Sequence, residues 1–99
     1  MAMAEISVIP LGTKTPSASN HVARAVKALQ GEKDIKYEIS SMGTIIEGDL
    51  DKLLTVIKKM HEATFNEEVA RVVTVVKIDE RRDRKSSMSE KVSSLMRKL

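Results

Sequence analysis

The segment Met42-Gly43-Thr44-Ile45-Ile46-Glu47-Gly48-Asp49 holds one carboxylate, Glu47, in an otherwise apolar run, with the hydroxyl of Thr44 three residues before it. If Glu47 faces a sheet interior it must be paired or hydrogen-bonded, because an isolated buried carboxylate is costly. Such a group can hold a cationic or hydrogen-bond-donating ligand. The alternative is a Glu47 that is solvent-exposed, or ion-paired to an arginine such as Arg71 on a neighbouring strand. A second stretch, Leu11 to Ser19, places Gly12, Thr13, Thr15 and Ser17 just before a helix start, where backbone N–H groups can bind an anion. Turn formation and helix capping explain the same residues, and no P-loop spacing is present. His21 and His61 are forty residues apart with neither HxxxH nor HExxH spacing, so no metal site is expected. His61 reads instead as a packed, hydrogen-bonded histidine. The run Asp79-Glu80-Arg81-Arg82-Asp83-Arg84-Lys85 alternates in sign, which favours a solvated loop or intersubunit salt bridges over a phosphate or nucleic-acid patch. No nucleophile elbow or acid-histidine spacing supports a hydrolase. The residues therefore point to binding rather than to an enzyme, and they imply no cofactor.

The elements that position these residues follow from periodicity. Ala4 to Leu11 alternates, with Ala4, Ile6 and Val8 on one side, until Pro10 and Gly12 break the pattern. Ser17 suits an N-cap, and Ala18, Val22, Ala25 and Leu29 recur at helical spacing, predicting a helix to about Gly31. Ile35, Tyr37 and Ile39 alternate as a second strand, and Gly43 allows the chain to reverse into a third, Thr44 to Glu47. Leu50, Leu53, Leu54, Ile57, Met60 and His61 mark one face of a second helix, ending near Asn66. The β-branched run Val69 to Ile78 predicts a fourth and longest strand. From Ser86, Met88, Val92, Leu95 and Leu99 recur at helical spacing, predicting a third helix. The order β-α-β-β-α-β plus a helix is an α+β, ferredoxin-like sandwich with an extra C-terminal helix, expected as one domain over residues 1–99.

The fourth strand does not suit the open face of such a sandwich. Val73 and Val75 point one way and Val72, Thr74, Val76 and Ile78 the other, and a strand apolar on both sides is usually covered on both. The extra helix can cover only part of a sheet with its single apolar stripe. A second copy of the chain is therefore expected, with a homodimer as the minimum and a homotetramer plausible.

Composition bounds the remaining possibilities. With 99 residues, 41% of them hydrophobic, four glycines and two prolines, the chain is neither disordered nor fibrous. It has no cysteine, which fits a reducing, cytoplasmic compartment. No basic segment precedes an apolar core at the N-terminus, and no stretch nears the roughly 18 apolar residues that span a bilayer, so neither standard export nor membrane insertion is expected. Residues 1–76 hold nine Lys/Arg and ten Asp/Glu, residues 77–99 eight and four, so the net charge of +3 comes from the tail. One Tyr and one Phe give few stacking platforms, which argues against single-stranded nucleic acid.

The order of elements, the hairpin MGTIIEGD, the helix with Met60-His61-Glu62 and the strand end Val-Lys-Ile-Asp-Glu-Arg-Arg-Asp resemble the small thiamine-binding family, long catalogued as a conserved family of unknown function. The resemblance runs from Ile6 to the last helix and is most specific at Gly43-Thr44, Glu47-Gly48, Lys77-Ile78-Asp79 and Arg81. It implies a ferredoxin-like fold, sheet-to-sheet dimers joined into a tetramer, and binding of thiamine or its hydroxymethylpyrimidine moiety without a reaction. Thiamine carries a permanent thiazolium charge and an aminopyrimidine, so its pocket needs a carboxylate, a few hydroxyls and an apolar floor. The resemblance carries that role to Thr44 and Glu47 first, with Ser41, Gly43 and Thr13 behind them. Ser40 and Met42 can also contribute, and Tyr37 is the one ring near the hairpin. The competing expectation is an oligomeric interaction or regulatory protein with no heterocycle ligand.

Overall fold

A computed structural model describes residues 1–14, 19–83 and 87–99. The elements are β1 (Ala2–Leu11), α1 (Ser19–Lys27), β2 (Lys36–Ser40), β3 (Gly43–Gly48), α2 (Leu50–Thr64), β4 (Arg71–Glu80) and α3 (Met88–Met96). The strands form one antiparallel sheet in the order β2-β3-β1-β4, so the fold is the expected ferredoxin-like sandwich with an added helix.

Register assigns every strand residue to a face. Ala2, Ala4 and Ile6 of β1 stand opposite Gly48, Ile46 and Thr44 of β3, and opposite Glu80, Ile78 and Val76 of β4. Successive side chains alternate across a sheet, so these residues share the face that α1 and α2 cover. Ile6, Ile46, Leu53, Val56, Met60, Ala25 and Leu29 form the sealed core there. On the other face lie Met3, Glu5 and Ser7, opposite Glu47 and Ile45 of β3 and Asp79, Lys77 and Val75 of β4. Helix α3 reaches that second face only at the Met3 end. The far end leaves Ile9, Val73 and Val75 exposed.

Local chemistry fixes the element boundaries. Gly12 turns the chain out of β1 at φ 74°, a left-handed conformation that glycine adopts without a Cβ clash. The predicted Ser17 cap lies outside the described residues. Helix α1 stops at Lys27 rather than Gly31, because the residues beyond it are held by tighter i→i−3 bonds such as Leu29 N–H to Val26 O at 2.9 Å. Helix α2 ends at Thr64, two residues short of the prediction, and its buried stripe is Leu53, Val56, Met60 and Thr64. Leu54, expected on that stripe, is 47% exposed. The helix is seated toward Val56, so Leu54 rotates past the edge of the contact.

Strand β4 begins at Arg71 and not at Val69, because Asn66 closes a turn first. Its Oδ1 accepts from the Glu68 and Val69 N–H groups, each at 2.9 Å, and Val69 is buried beneath that turn. The fourth strand is also no longer than the first, both spanning ten residues. Ser87, next to the predicted Ser86 that lies outside the described residues, caps α3 by accepting from the Glu90 N–H at 3.1 Å. Arg24 of α1 holds the C-terminus of α2, donating to Ala63 O at 3.2 Å and Thr64 O at 2.9 Å, where a cation suits the helix dipole. The same guanidinium meets His21 Nδ1 at 2.8 Å, and this tie accounts for a histidine buried on α1.

Candidate ligand-binding cleft beneath the third helix

Glu47 sits where β3 passes under the start of α3. Its side chain is buried, at 3% exposure, and Oε1 accepts from the Met88 N–H at 3.2 Å. The first N–H groups of a helix have no partner within the helix, and the positive end of the helix dipole favours a carboxylate. Glu47 therefore docks α3 onto the sheet. An ion pair with Arg71 is excluded by register: Arg71 stands opposite Leu11 at the far end of the sheet, whereas Glu47 stands opposite Met3.

The other residues expected at the site fall elsewhere. Thr44 is buried at 4% exposure on the α1/α2 face, opposite Ile6, so Thr44 and Glu47 point to opposite sides of the same strand. Ser41 lies in the exposed turn between β2 and β3. Gly43 opens β3, where an added Cβ would come within 2.9 Å of Ile6 O; this close approach to β1 accounts for the glycine. Gly43 and Glu47 are four residues apart along the strand, about 13 Å at the usual rise. Thr13 follows the far end of β1, half-buried. Ser7 joins the hairpin turn to β1 by donating to Met42 O at 2.8 Å. The hairpin tip and Thr13 thus belong to one end of the sheet and Glu47 to the other.

At the Glu47 end, a cleft of about 610 Å³ opens between α3 and the second face of the sheet. Met3, Ile45, Met88 and Val92 give it apolar surface, and Glu5, Glu38, Lys77 and Asp79 bring charge to it. Asp79 also pairs with Lys91 of α3, a second tie between helix and sheet beside the Glu47 bond. Most of these residues escaped the reading of the hairpin alone. Their signal was nonetheless present: Glu5, Ile45, Lys77 and Asp79 share the strand parity of Glu47 once the strand order places β1 between β3 and β4.

Other polar residues are engaged structurally. His61 Nδ1 meets Thr74 Oγ1 at 2.6 Å and its ring packs edge-on to Phe65, as expected of a packed histidine. Arg81 grips Asp83 with two bonds of 2.6 and 2.8 Å, and that hydrogen bonding with its attendant charge attraction raises the Arg81 pKa above its ordinary value. Arg82 pairs with Glu80 at 2.9 Å. The charge run is thus a chain of local ion pairs as far as Asp83; Arg84 and Lys85 lie outside the described residues. Among the described residues no group of three or more His, Asp and Glu is placed to hold a metal ion, and no helix is long and apolar enough to cross a membrane.

The chain is similar to known proteins over nearly its whole length. A UPF0045 protein of Methanothermobacter thermautotrophicus is 46% identical, with all of both chains aligned. The UPF0045 protein YqgV of Bacillus subtilis is 44% identical over all of this chain and 98% of that one. The crystal structure of a Methanocaldococcus jannaschii relative superposes with a TM-score of 0.87 at 39% identity, covering 96% of this chain and 95% of that chain. A Thermotoga maritima protein, whose name assigns it to thiamine biosynthesis or salvage, shares the fold with a TM-score of 0.79 at 21% identity, covering 95% and 97%. The sequence pattern of the family described as Thiamine-binding protein matches residues 4–96. The chain belongs to that family.

Proposed function

We propose that the chain is a non-catalytic binding protein for thiamine or a related aminopyrimidine, acting as a homo-oligomer, with the ring held in the cleft between α3 and the sheet. The observation that carries this reading is the pairing of an apolar floor with clustered carboxylates. Glu5, Glu38 and Asp79 border the cleft against Lys77 and Lys91, and Met3, Ile45, Met88 and Val92 supply the apolar contact. A permanently charged thiazolium gains from the excess of carboxylates, and the exocyclic amine of the pyrimidine finds acceptors among them. Glu47 lies beneath the helix that forms the roof, with one oxygen engaged at Met88. The family description and the name of the Thermotoga neighbour point to the same vitamin.

Titration calorimetry with thiamine and with hydroxymethylpyrimidine tests this reading. Saturable binding is expected. Glu47→Gln keeps an oxygen that can accept from Met88 while it removes the charge, so thiamine affinity should fall about tenfold or more, the usual order for a charged partner in a hydrogen bond. Unchanged affinity would remove Glu47 from the site, and flat traces with both ligands would end the proposal.

The oligomer rests on a separate observation. Strand β4 is an edge strand, yet Val73, Val75, Val76 and Ile78 are all exposed, and so are Val92, Leu95 and Met96 of α3. A long apolar edge left open invites pairing or aggregation. A second copy of the chain covers the Val73/Val75 end in this reading, leaving the α3 end for the ligand. Sedimentation should show a dimer or tetramer, and Val75→Lys should shift it toward monomer. A tetramer that binds neither heterocycle would favour the alternative, an interaction or regulatory protein.

A further inference from the structure

A second cavity, of about 600 Å³, adjoins the cleft at the Met1 end of β1. Met3, Asp79 and Lys91 line both, so the two cavities share a wall. Their charges are opposite. The cleft is bordered by Glu5, Glu38 and Asp79 against Lys77 and Lys91. The second cavity is bordered by Arg81, Lys91, Arg97 and Lys98 against Asp79 and Glu90. Arg81 and Lys91 already have carboxylate partners, Asp83 and Asp79. Arg97 and Lys98 form no side-chain ion pair among the described residues. Glu90 has no ion pair either, so two cations stand against one unpaired carboxylate in a cavity that continues from a carboxylate-rich one.

We propose that the two cavities form one composite site for a phosphorylated ligand, with the heterocycle in the cleft and its phosphate ester held by Arg97 and Lys98. The inference rests on reading the cleft as the heterocycle site and adds which chemical form occupies it. A cationic ring joined to an anionic ester matches the charge change across the shared wall. A guanidinium presents several donors to phosphate oxygens, and the adjacent ammonium adds a point charge. Ser94, which lines the second cavity, offers a hydroxyl. Two sources share this chemistry, thiamine phosphate and hydroxymethylpyrimidine phosphate, and both belong in the test.

The experiment is calorimetry of the full chain with thiamine, thiamine phosphate, hydroxymethylpyrimidine and hydroxymethylpyrimidine phosphate. It is run on the wild type and on the double variant Arg97→Gln/Lys98→Gln. At low ionic strength the phosphorylated form should bind about five- to tenfold tighter than its parent, the order expected of two solvent-screened ion pairs. The preference should shrink as salt is added. In the double variant it should vanish while affinity for the parent heterocycle is unchanged. Whichever phosphate gains more over its parent identifies the source. Equal binding of a phosphate and its parent, or a preference that survives in the double variant, would overturn the composite site and leave the heterocycle site standing. Absence of binding by all four compounds would overturn both.

Discussion

On the α1/α2 face of the sheet, Ile6, Ile46, Leu53 and Met60 are all 2% exposed or less, whereas α3, on the other face, buries none of its own residues. The first face is held by packing. The second is held by polar ties at one end of a helix: the Glu47 bond to Met88 and the Lys91–Asp79 pair. Buried apolar area contributes about 25 cal/mol per Å², while exposed ion pairs contribute little. The two faces therefore differ in stability, and the weakly held face carries the cleft. A roof with little buried surface can move aside at low cost, a property that binding elements commonly share.

Substitutions can break or sharpen this contrast. The largest effect is expected from Leu53→Ala, which opens a void in the sealed core and should cost about 2–5 kcal/mol, read from the urea midpoint. A loss below about 1 kcal/mol would mean that the face is less tightly packed than its burial indicates. Arg24→Ala should cost about 1–3 kcal/mol, since two carbonyls at the end of α2 and His21 lose their donor together. Val92→Ala, at a largely exposed side chain that lines the cleft, should change global stability by no more than about 0.5 kcal/mol. Amide hydrogen exchange should likewise release α3 well before α2.

The smallest effect concerns the exposed Lys52–Asp34 pair. Hydrogen bonding to Asp34 raises the Lys52 pKa above 10.5. A raised lysine pKa adds stability below the unfolded value, and that contribution is lost as pH rises through the folded value. The difference between wild type and Lys52→Met should accordingly be small at neutral pH and disappear in strong alkali. A difference that grows with pH would contradict the assignment.

Period-two alternation made the sheet readable from the chain: the parity of Ala4, Ile6 and Val8, and of Val73 against Val76, matches the faces observed. The helical stripes were readable to within one flank. Leu54 and Val56 sit on either side of the Leu53–Met60 line, and only the angle at which α2 rests on the sheet decides which is buried. The candidate site was legible only in part, because it is made by strand order and not by local sequence. Thr44 and Glu47 are three residues apart, an odd separation that sends them to opposite faces, so no single pocket takes both side chains. Glu47 draws its partner from Met88, forty-one residues later, through a helix whose docking point has no local signal. Lys77, Asp79 and Arg81 stood out by family resemblance, and they line the two cavities that the fold assembles.

The central claim, that the heterocycle lies under α3, is tested most directly by methyl NMR during a thiamine titration. The account predicts saturable shifts in the methyls of Met3, Ile45, Met88 and Val92, with Val8, Ile46 and Leu53 on the packed face unmoved. Shifts centred on Thr13, Thr44 or Met42, at the hairpin end and in the core, would contradict it.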